Sequence, residues 1–182
     1  GDLDGDGDLD ALAGTSGGGL LGMFVLLNHG DGTFADGVNY DSERISSLTL
    51  GDVDGDGDLD ALTSFDGMGL PVIGVHLNNS DGTFAPRSSS YPGSSPIALG
   101  DVDEDGDLDI VTGNGSLDVY SNNGDGTFAG HHSYEVGEEP KSLALGDVDG
   151  DGDLDALTAN FASNDVSVLL GAGDGTFATR LD

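Results

Sequence analysis

One segment of the chain carries aspartate at every second position. Residues 52–60 read Asp-Val-Asp-Gly-Asp-Gly-Asp-Leu-Asp, which places carboxylates at positions 1, 3, 5, 7 and 9. Five acids so close together repel one another unless a cation neutralises them. Gly57, at position 6, allows the positive φ of a tight turn, so that the side chains at 1, 3, 5 and 9 converge with the carbonyl of position 7. A cage made only of oxygens favours a hard cation with flexible coordination, Ca²⁺ before Mg²⁺.

The same segment occurs four times, beginning at residues 2, 52, 101 and 147. A second string, ending in Asp-Gly-Thr-Phe-Ala, follows each copy and begins at Asn28, Asn78, Asn122 and Gly171. Two strings in the same order four times define a repeated supersecondary unit. The intervening stretches are short and carry apolar residues at alternate positions, as at Val75 and Leu77, which predicts strands and not helices.

Each unit is predicted to contain four strands. Strand A precedes the Asp-rich loop, strand B follows it, strand C ends at the second string, and strand D begins at its Thr-Phe pair. A four-stranded antiparallel meander of this length is typical of a propeller blade. The first unit has no strand A, because Gly1 directly precedes its Asp-rich loop.

The Asp-rich loop differs from an EF-hand loop. An EF-hand has a bidentate Glu at position 12 and a helix on each side. Position 12 is occupied here by Ala13, Thr63, Thr112 and Thr158. A merely solvated turn would be served equally well by Asn or Ser. A bound cation could be purely structural or could also serve ligand binding, and the sequence is compatible with both.

The pattern DxDGDGxxD between two strands, followed by Asn-x-Gly-Asp-Gly-Thr-Phe, resembles the FG-GAP/VCBS repeat. That repeat forms the blades of integrin-α-type and related bacterial β-propellers. The resemblance implies an all-β fold, a β-propeller of four-stranded antiparallel blades, with one array of four repeats over residues 1–182. The repeats are predicted at 1–39, 40–90, 91–133 and 134–182. Because the first blade lacks its innermost strand, the array is expected to be part of a larger propeller, a closed four-blade unit, or a unit completed by another copy.

The resemblance also implies about four Ca²⁺ ions, one in each repeat. Glu104 replaces the usual Gly at position 4 of the third loop, outside the cage, so we expect that site to survive. The implied side-chain ligands are Asp2, Asp4, Asp6 and Asp10; Asp52, Asp54, Asp56 and Asp60; Asp101, Asp103, Asp105 and Asp109; and Asp147, Asp149, Asp151 and Asp155. The implied carbonyl ligands belong to Asp8, Asp58, Asp107 and Asp153.

Composition excludes several classes of function. The chain has 4 Lys and Arg against 35 Asp and Glu, a formal charge of −31. It therefore has too few cations to bind nucleic acid or an anionic membrane surface. It has no cysteine for disulfides or thiolate metal sites, and no apolar run long enough to span a membrane. No nucleophile elbow, zinc-type His cluster, P-loop or dinucleotide fingerprint occurs, so we predict no catalytic and no cofactor-binding residues besides the calcium ligands.

These observations predict a non-catalytic, calcium-stabilised extracellular or cell-surface scaffold for adhesion or assembly. The alternatives are a lectin-like, carbohydrate-binding propeller, an accessory module of a polysaccharide-active enzyme, and a subunit of a β-augmented filament. The expected partners are a protein or glycan ligand, or another copy bound through the incomplete blade, with no nucleic acid and no membrane insertion.

Some further residues can be assigned from the repeats. The repeated Phe is predicted to pack between blades, and an exposed loop is the favoured interpretation of the pair His131 and His132. Asn78 and Asn114 lie in N-x-S sequons, which matter only in a host that glycosylates secreted proteins. The repeated phenylalanines are Phe34, Phe84, Phe128 and Phe177.

Overall fold

The computed structural model describes residues 1–17, 21–67, 70–113 and 115–180, without the side chains at 66, 67 and 70. These residues form strands and turns and no helix, which confirms the all-β prediction. The strands make four antiparallel sheets, and each sheet is a meander in which strands adjacent in sequence are hydrogen-bonded neighbours. No helix in the described residues is long and apolar enough to cross a membrane.

Each sheet is built around one Asp-rich loop. Sheet 1 comprises β1 (Ala11–Thr15), β2 (Gly22–Leu26) and β3 (Val38–Asn39). Sheet 2 comprises β4 (Ile45–Gly51), β5 (Asp60–Gly67), β6 (Leu70–His76) and β7 (Ser89–Pro92). Sheet 3 comprises β8 (Ile97–Gly100), β9 (Asp109–Gly113), β10 (Ser116–Asn122) and β11 (Phe128–Glu135). Sheet 4 comprises β12 (Pro140–Gly146), β13 (Asp155–Asn160) and β14 (Asp165–Leu169). The prediction of four strands is wrong for sheet 4 in the described residues, because Phe177 makes only an isolated bridge and no strand D follows it.

The Asp-rich loops join strand A to strand B, as predicted. In sheet 2, for example, β4 ends at Gly51 and β5 begins at Asp60, so residues 52–59 close a hairpin in which Gly51 pairs with Asp60. Sheet 1 contains strands B, C and D alone, in agreement with the missing strand A. Each loop is therefore held at the same place in its sheet, at the turn between strands A and B or at the start of strand B.

Strand D departs from its predicted start. It begins at Phe128 in sheet 3, but Phe34, Phe84 and Phe177 make only isolated bridges to the end of strand C. In sheet 2 the continuous strand resumes at Ser89, beyond Pro86, which has no N–H to donate to a ladder. The Thr-Phe pair therefore closes the turn between strands C and D and starts a strand only where the following residues can pair.

The chain divides into two compact units, Gly1–Pro92 and Gly93–Asp182. In the first unit a buried apolar cluster, Leu3, Met23, Val25, Ala61 and Phe84, joins sheets 1 and 2. In the second unit the corresponding cluster joins sheets 3 and 4 and contains Val102, Val111, Leu117, Val119, Ala156, Leu169 and Phe177. Packing between sheets is confirmed for Phe84 and Phe177, whereas Phe34 is 45% exposed. The repeat boundaries stay a prediction.

Candidate metal centres

The Asp-rich loops fold through glycines with positive φ. Gly57, at position 6 of the second loop, has φ 96°, and Gly55, at position 4, has φ 75°. Both angles lie in the left-handed region, which glycine adopts without steric cost. Glu104 occupies position 4 of the third loop and also adopts positive φ, 59°, which costs a residue with a Cβ atom about 1–2 kcal/mol.

The aspartate at position 1 anchors the turn. In the second loop, Asp52 accepts hydrogen bonds from the N–H groups of Gly55 (2.8 Å) and Gly57 (2.9 Å), one on each carboxylate oxygen. The first and fourth loops have the same pair of bonds. In the third loop only the Gly106 bond to Asp101 is present, and the other carboxylate oxygen of Asp101 is buried without a hydrogen-bond partner. An unpartnered buried carboxylate oxygen is a group that a cation would satisfy.

Aspartates at positions 3 and 5 bend the loop inward. Asp56, at position 5, accepts the N–H of Asp58 at 2.9 Å, and Asp6, Asp105 and Asp151 make the same bond. At position 3, desolvation and the neighbouring carboxylates raise the pKa of Asp54. One oxygen of Asp54 is buried and has no hydrogen-bond partner. The same two causes raise the pKa of Asp4, Asp103 and Asp149.

The aspartate at position 9 ties the loop to the end of strand C, a role that the sequence analysis did not assign to it. Asp60 is fully buried, and its two oxygens accept the N–H groups of Val53 (2.9 Å) and Asn78 (2.8 Å). Burial raises the pKa of Asp60 to about 6, and it raises the pKa of Asp109 to about 6 as well. Asp10, Asp109 and Asp155 make the corresponding pair of bonds.

The structure brings most of the predicted side-chain ligands together. In each loop, three aspartates offer oxygens that all lie within 4.8 Å of one another. The first loop contributes positions 1, 3 and 5, and the other three contribute positions 1, 3 and 9. The clusters are Asp2, Asp4 and Asp6; Asp52, Asp54 and Asp60; Asp101, Asp103 and Asp109; and Asp147, Asp149 and Asp155. All-carboxylate clusters of this spacing fit a hard divalent cation such as Ca²⁺.

The side chain at position 7 points to the turn between strands C and D. The hydroxyl of Ser80 donates to Asp58, and a Cβ atom added at Gly124 would lie 2.6 Å from an oxygen of Asp107. The residue facing position 7 has positive φ in every repeat, 67° at Ser80 and 77° at Gly124. The position 7 side chain therefore lies at the turn, and the predicted role of its carbonyl as a ligand stays a prediction.

An asparagine at the start of the second string locks the turn to the loop. The Asn28 side chain donates to the carbonyl of Leu9 (3.0 Å), and the Asn122 side chain donates to Leu108 (3.0 Å). Asn78 donates to Leu59 (3.2 Å) and also to Leu3 of sheet 1 (2.9 Å). Because Asn78 is 5% exposed and holds two carbonyls, its sequon is inaccessible in the folded chain. The second sequon, at Asn114, lies outside the described residues.

The aspartates of the second string form a separate class. Asp81 accepts both the N–H (3.0 Å) and the hydroxyl (2.5 Å) of Thr83, and these bonds lower its pKa. Asp31, Asp125 and Asp174 are held in the same way by the threonine two residues on. The turn aspartates are therefore satisfied by the hydroxyl and N–H of the threonine two residues on, whereas neighbouring acids crowd the loop aspartates at position 3 and their pKa values are raised. The electrostatic need for a cation belongs to the loops.

Two histidine contacts lie apart from the loops. His76 is fully buried in β6, with its Nε2 3.5 Å from Asp41, and Arg87 lies 3.3 Å from the same carboxylate. His131 contacts Asp118 at 3.3 Å and stacks on Tyr120, without a further His or acid that would complete a metal cluster in the described residues. No pattern in the sequence predicted that His76, Asp41 and Arg87 meet, because these residues are not repeated.

The fold and the four loops together define an all-β repeat protein with one oxygen-rich, carboxylate-lined loop in each repeat. The chain belongs to the FG-GAP-like repeat family, whose model matches residues 2–63 and 110–158. The matched segments contain the first, second and fourth Asp-rich loops. No curated protein matches the chain. Repeats of this family are generally non-catalytic scaffolds and are typically extracellular.

Proposed function

We propose that the chain is a calcium-stabilised, non-catalytic β-propeller scaffold that serves adhesion or assembly outside the cell. Its four sheets are the blades, and Ca²⁺ binds in the Asp-rich loop of each blade. The observation that carries the proposal is the recurrence of three mutually close carboxylates at the same place in all four repeats. The aspartates at positions 1, 3, 5 and 9 supply side-chain oxygens, and position 7 supplies its carbonyl.

Calcium suits these loops for electrostatic reasons. The position 3 carboxylates have raised pKa values, so their charges are unfavourable where they stand. Asp54 and Asp101 each keep one buried oxygen without a hydrogen-bond partner. A divalent cation among these oxygens removes the repulsion and supplies the missing partner. The ion therefore contributes folding energy, since the unfolded chain has no assembled cage.

The size of that contribution supports a structural role. A site present at 100 times its Kd adds about 2.7 kcal/mol to stability, so four independent sites add roughly 11 kcal/mol. That is comparable with the whole stability of an ordinary domain, about 5–15 kcal/mol. A calcium-free chain is thus expected to be weakly folded or unfolded.

Calcium titration of the metal-stripped chain tests this proposal. Isothermal titration calorimetry is expected to give about four ions per chain, and calcium is expected to raise the melting temperature steeply. Asp54→Asn should remove one site and lower the melting temperature in calcium. Asp36→Asn, which removes an exposed acid outside the loops, is the matched control and should change neither. Identical melting curves in calcium and in excess chelator would overturn the proposal.

A glycan-binding propeller is the second candidate. A cleft of about 530 Å³ in the second unit is lined by Ser133, Tyr134, Glu135, Val136, Thr179 and Arg180. Small-ligand sites combine apolar and aromatic side chains with a few polar groups that orient the ligand, and this cleft contains both kinds. Binding of the unaltered chain to a glycan array, with loss of that binding in the Glu135→Ala variant, would favour this candidate. The same result would also favour the related function of an accessory module of a polysaccharide-active enzyme. An array without detectable binding would contradict the glycan-binding candidate and leave the calcium-stabilised scaffold as the proposed function.

A further inference from the structure

Sheets 1 and 2 pack through two different faces, which recur in the second unit. We name as the trailing face of a sheet the residue at loop position 2 and the alternate residues of strand C. In sheet 1 these are Leu3, Met23 and Val25, which are at most 3% exposed. We name as the leading face the residue at loop position 8, the strand B alanine and the repeated Phe. In sheet 2 these are Leu59, Ala61 and Phe84.

The second unit repeats this contact residue for residue. The trailing face of sheet 3 contains Val102, Leu117 and Val119, and it packs on the leading face of sheet 4, which contains Leu154, Ala156 and Phe177. A tyrosine meets the Phe edge-to-face in both units. The ring centroids lie 5.6 Å apart for Tyr40 and Phe84 and 5.7 Å apart for Tyr134 and Phe177.

A turn-to-loop contact accompanies the apolar one. The turn between strands C and D of the later sheet lies against position 3 of the earlier loop. A Cβ atom added at Gly82 or at Gly175 would lie 3.3 Å from the Cβ of Asp4 or of Asp103 respectively. The N–H of Gly175 also donates to the carbonyl of Val102 at 2.9 Å. In each packed pair, the later sheet therefore contacts the earlier one directly beside the proposed cation site of the earlier loop.

Two of these faces are uncovered. On the leading face of sheet 1, Leu9 is 69% exposed and Phe34 is 45% exposed. On the trailing face of sheet 4, Val148 is 52% exposed and Val166 is 54% exposed. These four belong to the six strongly exposed large apolar residues of the described chain. A Cβ atom at Gly32, the equivalent of Gly82 and Gly175, would touch nothing within 4 Å.

We propose that the trailing face of sheet 4 binds the leading face of sheet 1 of a second copy of this chain. A second copy is the expected partner, because equivalent trailing and leading faces already pack on each other within both units. Val148 and Val166 of sheet 4 are equivalent to Val102 and Leu117 of sheet 3, which lie in one cluster with Phe177. Leu9 and Phe34 of sheet 1 are equivalent to Leu154 and Phe177 of sheet 4, which pack on the trailing face of sheet 3. The contact is heterologous, since it joins two different faces.

The proposal goes beyond the calcium scaffold, because it rests on how the sheets pack. It differs from strand addition at an open edge, since the residues that carry it lie on the faces. The turn at Gly32 would lie against Asp149, position 3 of the fourth loop. Carboxylate repulsion there is lowest with calcium bound, so association is measured in about 1 mM Ca²⁺.

Sedimentation velocity of the full chain over a concentration series tests the contact. The unaltered chain is expected to form species larger than the monomer. Leu9→Arg blocks the leading face and keeps the trailing one, and Val166→Arg does the reverse. Each variant alone is expected to stay monomeric to a concentration roughly tenfold or more above that at which the unaltered chain associates. An equimolar mixture of the two is expected to form dimers and nothing larger, because it has one intact contact per pair.

Val38→Arg is the matched control, since Val38 is 53% exposed and belongs to neither uncovered face. It should associate like the unaltered chain. Melting curves in calcium are expected to agree for all four proteins, because none of the three changes touches a buried residue. Association of either single variant at the original strength would overturn the proposal, as would a monomeric mixture. A monomeric unaltered chain that still shows its calcium-dependent melting would overturn this inference alone and leave the scaffold intact.

Discussion

At the scale of single residues, aspartate serves three separate purposes in this chain. In the turns between strands C and D it accepts hydrogen bonds from a threonine, and its pKa falls. At loop position 3 it is crowded by other acids, and its pKa rises. At loop position 9 it is buried and holds two strands together through backbone N–H groups. The same side chain thus acts as a turn former, a candidate ligand and a structural anchor.

Position 9 is both an anchor and a candidate ligand, and measurements without calcium isolate its anchoring role. We predict that Asp60→Asn destabilises the chain by about 1–3 kcal/mol even without calcium, because an amide offers one acceptor where Val53 and Asn78 need two. Asp54→Asn should lower the free energy of unfolding only when calcium is present. Chemical denaturation in calcium and in chelator measures both. Equal stability of Asp60→Asn and the unaltered chain in chelator would contradict the anchoring role.

The buried histidine predicts a pH dependence. Burial lowers the pKa of His76 below its ordinary 6.5, so the unfolded chain binds the proton more readily than the native one. The contribution of neutral His76 to stability is therefore fully present above about pH 6.5. Below that pH it declines, by up to about 1.4 kcal/mol for each pH unit, until the native pKa is reached. Melting at pH 7.5 and 5.0 in saturating calcium should show a smaller decline for His76→Gln. Val38→Gln, at an exposed position without a titrating group, is the control and should leave the decline unchanged.

At the scale of the elements, the loop is fixed by its neighbours as much as by its own sequence. Position 2 lies buried between sheets in the first and third loops, position 7 faces the turn, and position 9 is bonded to the end of strand C. A cation bound at this place would therefore stiffen a hairpin and the next strand together. Loss of one cage should loosen the packed pair of sheets beside it.

Substitution of the repeated Phe tests whether packing between the sheets stabilises the fold. Phe84 is 5% exposed within the cluster of sheets 1 and 2, so we predict that Phe84→Ala costs about 3–5 kcal/mol. Phe34→Ala, at the equivalent but uncovered position, should cost less than about 1 kcal/mol in dilute solution. Urea denaturation at low micromolar protein concentration measures both. Similar losses for the two variants would contradict the described packing.

At the scale of the whole molecule, charge is the dominant feature. Four Ca²⁺ ions would bring the formal charge from −31 to about −23 and place each ion where the acids are densest. Exposed acids outside the loops, such as Asp36 and Glu135, keep the surface acidic. Self-repulsion is thus greatest in the calcium-free chain.

Salt should therefore replace part of what calcium provides. In excess chelator, raising NaCl from about 0.05 to 1 M shortens the screening length to about 3 Å and should raise the melting temperature. In saturating calcium the same change should have a much smaller effect, because the densest repulsion has already been removed. Differential scanning calorimetry checks this. A salt effect of equal size in both conditions would show that loop repulsion is not what limits stability.

The amino-acid sequence was enough to predict the repeat, the all-β class, the position of the Asp-rich loops and the family. These follow from local patterns, since alternation of apolar residues, Gly at positive φ and closely spaced carboxylates act within a few residues. Tertiary structure decided the rest. It showed that Asp60 and its equivalents are buried anchors, that Asp58 faces the turn, that strand D begins late in sheet 2, and that Asp41, His76 and Arg87 meet. Each of these depends on contacts between residues distant in the chain, which spacing along one strand does not encode.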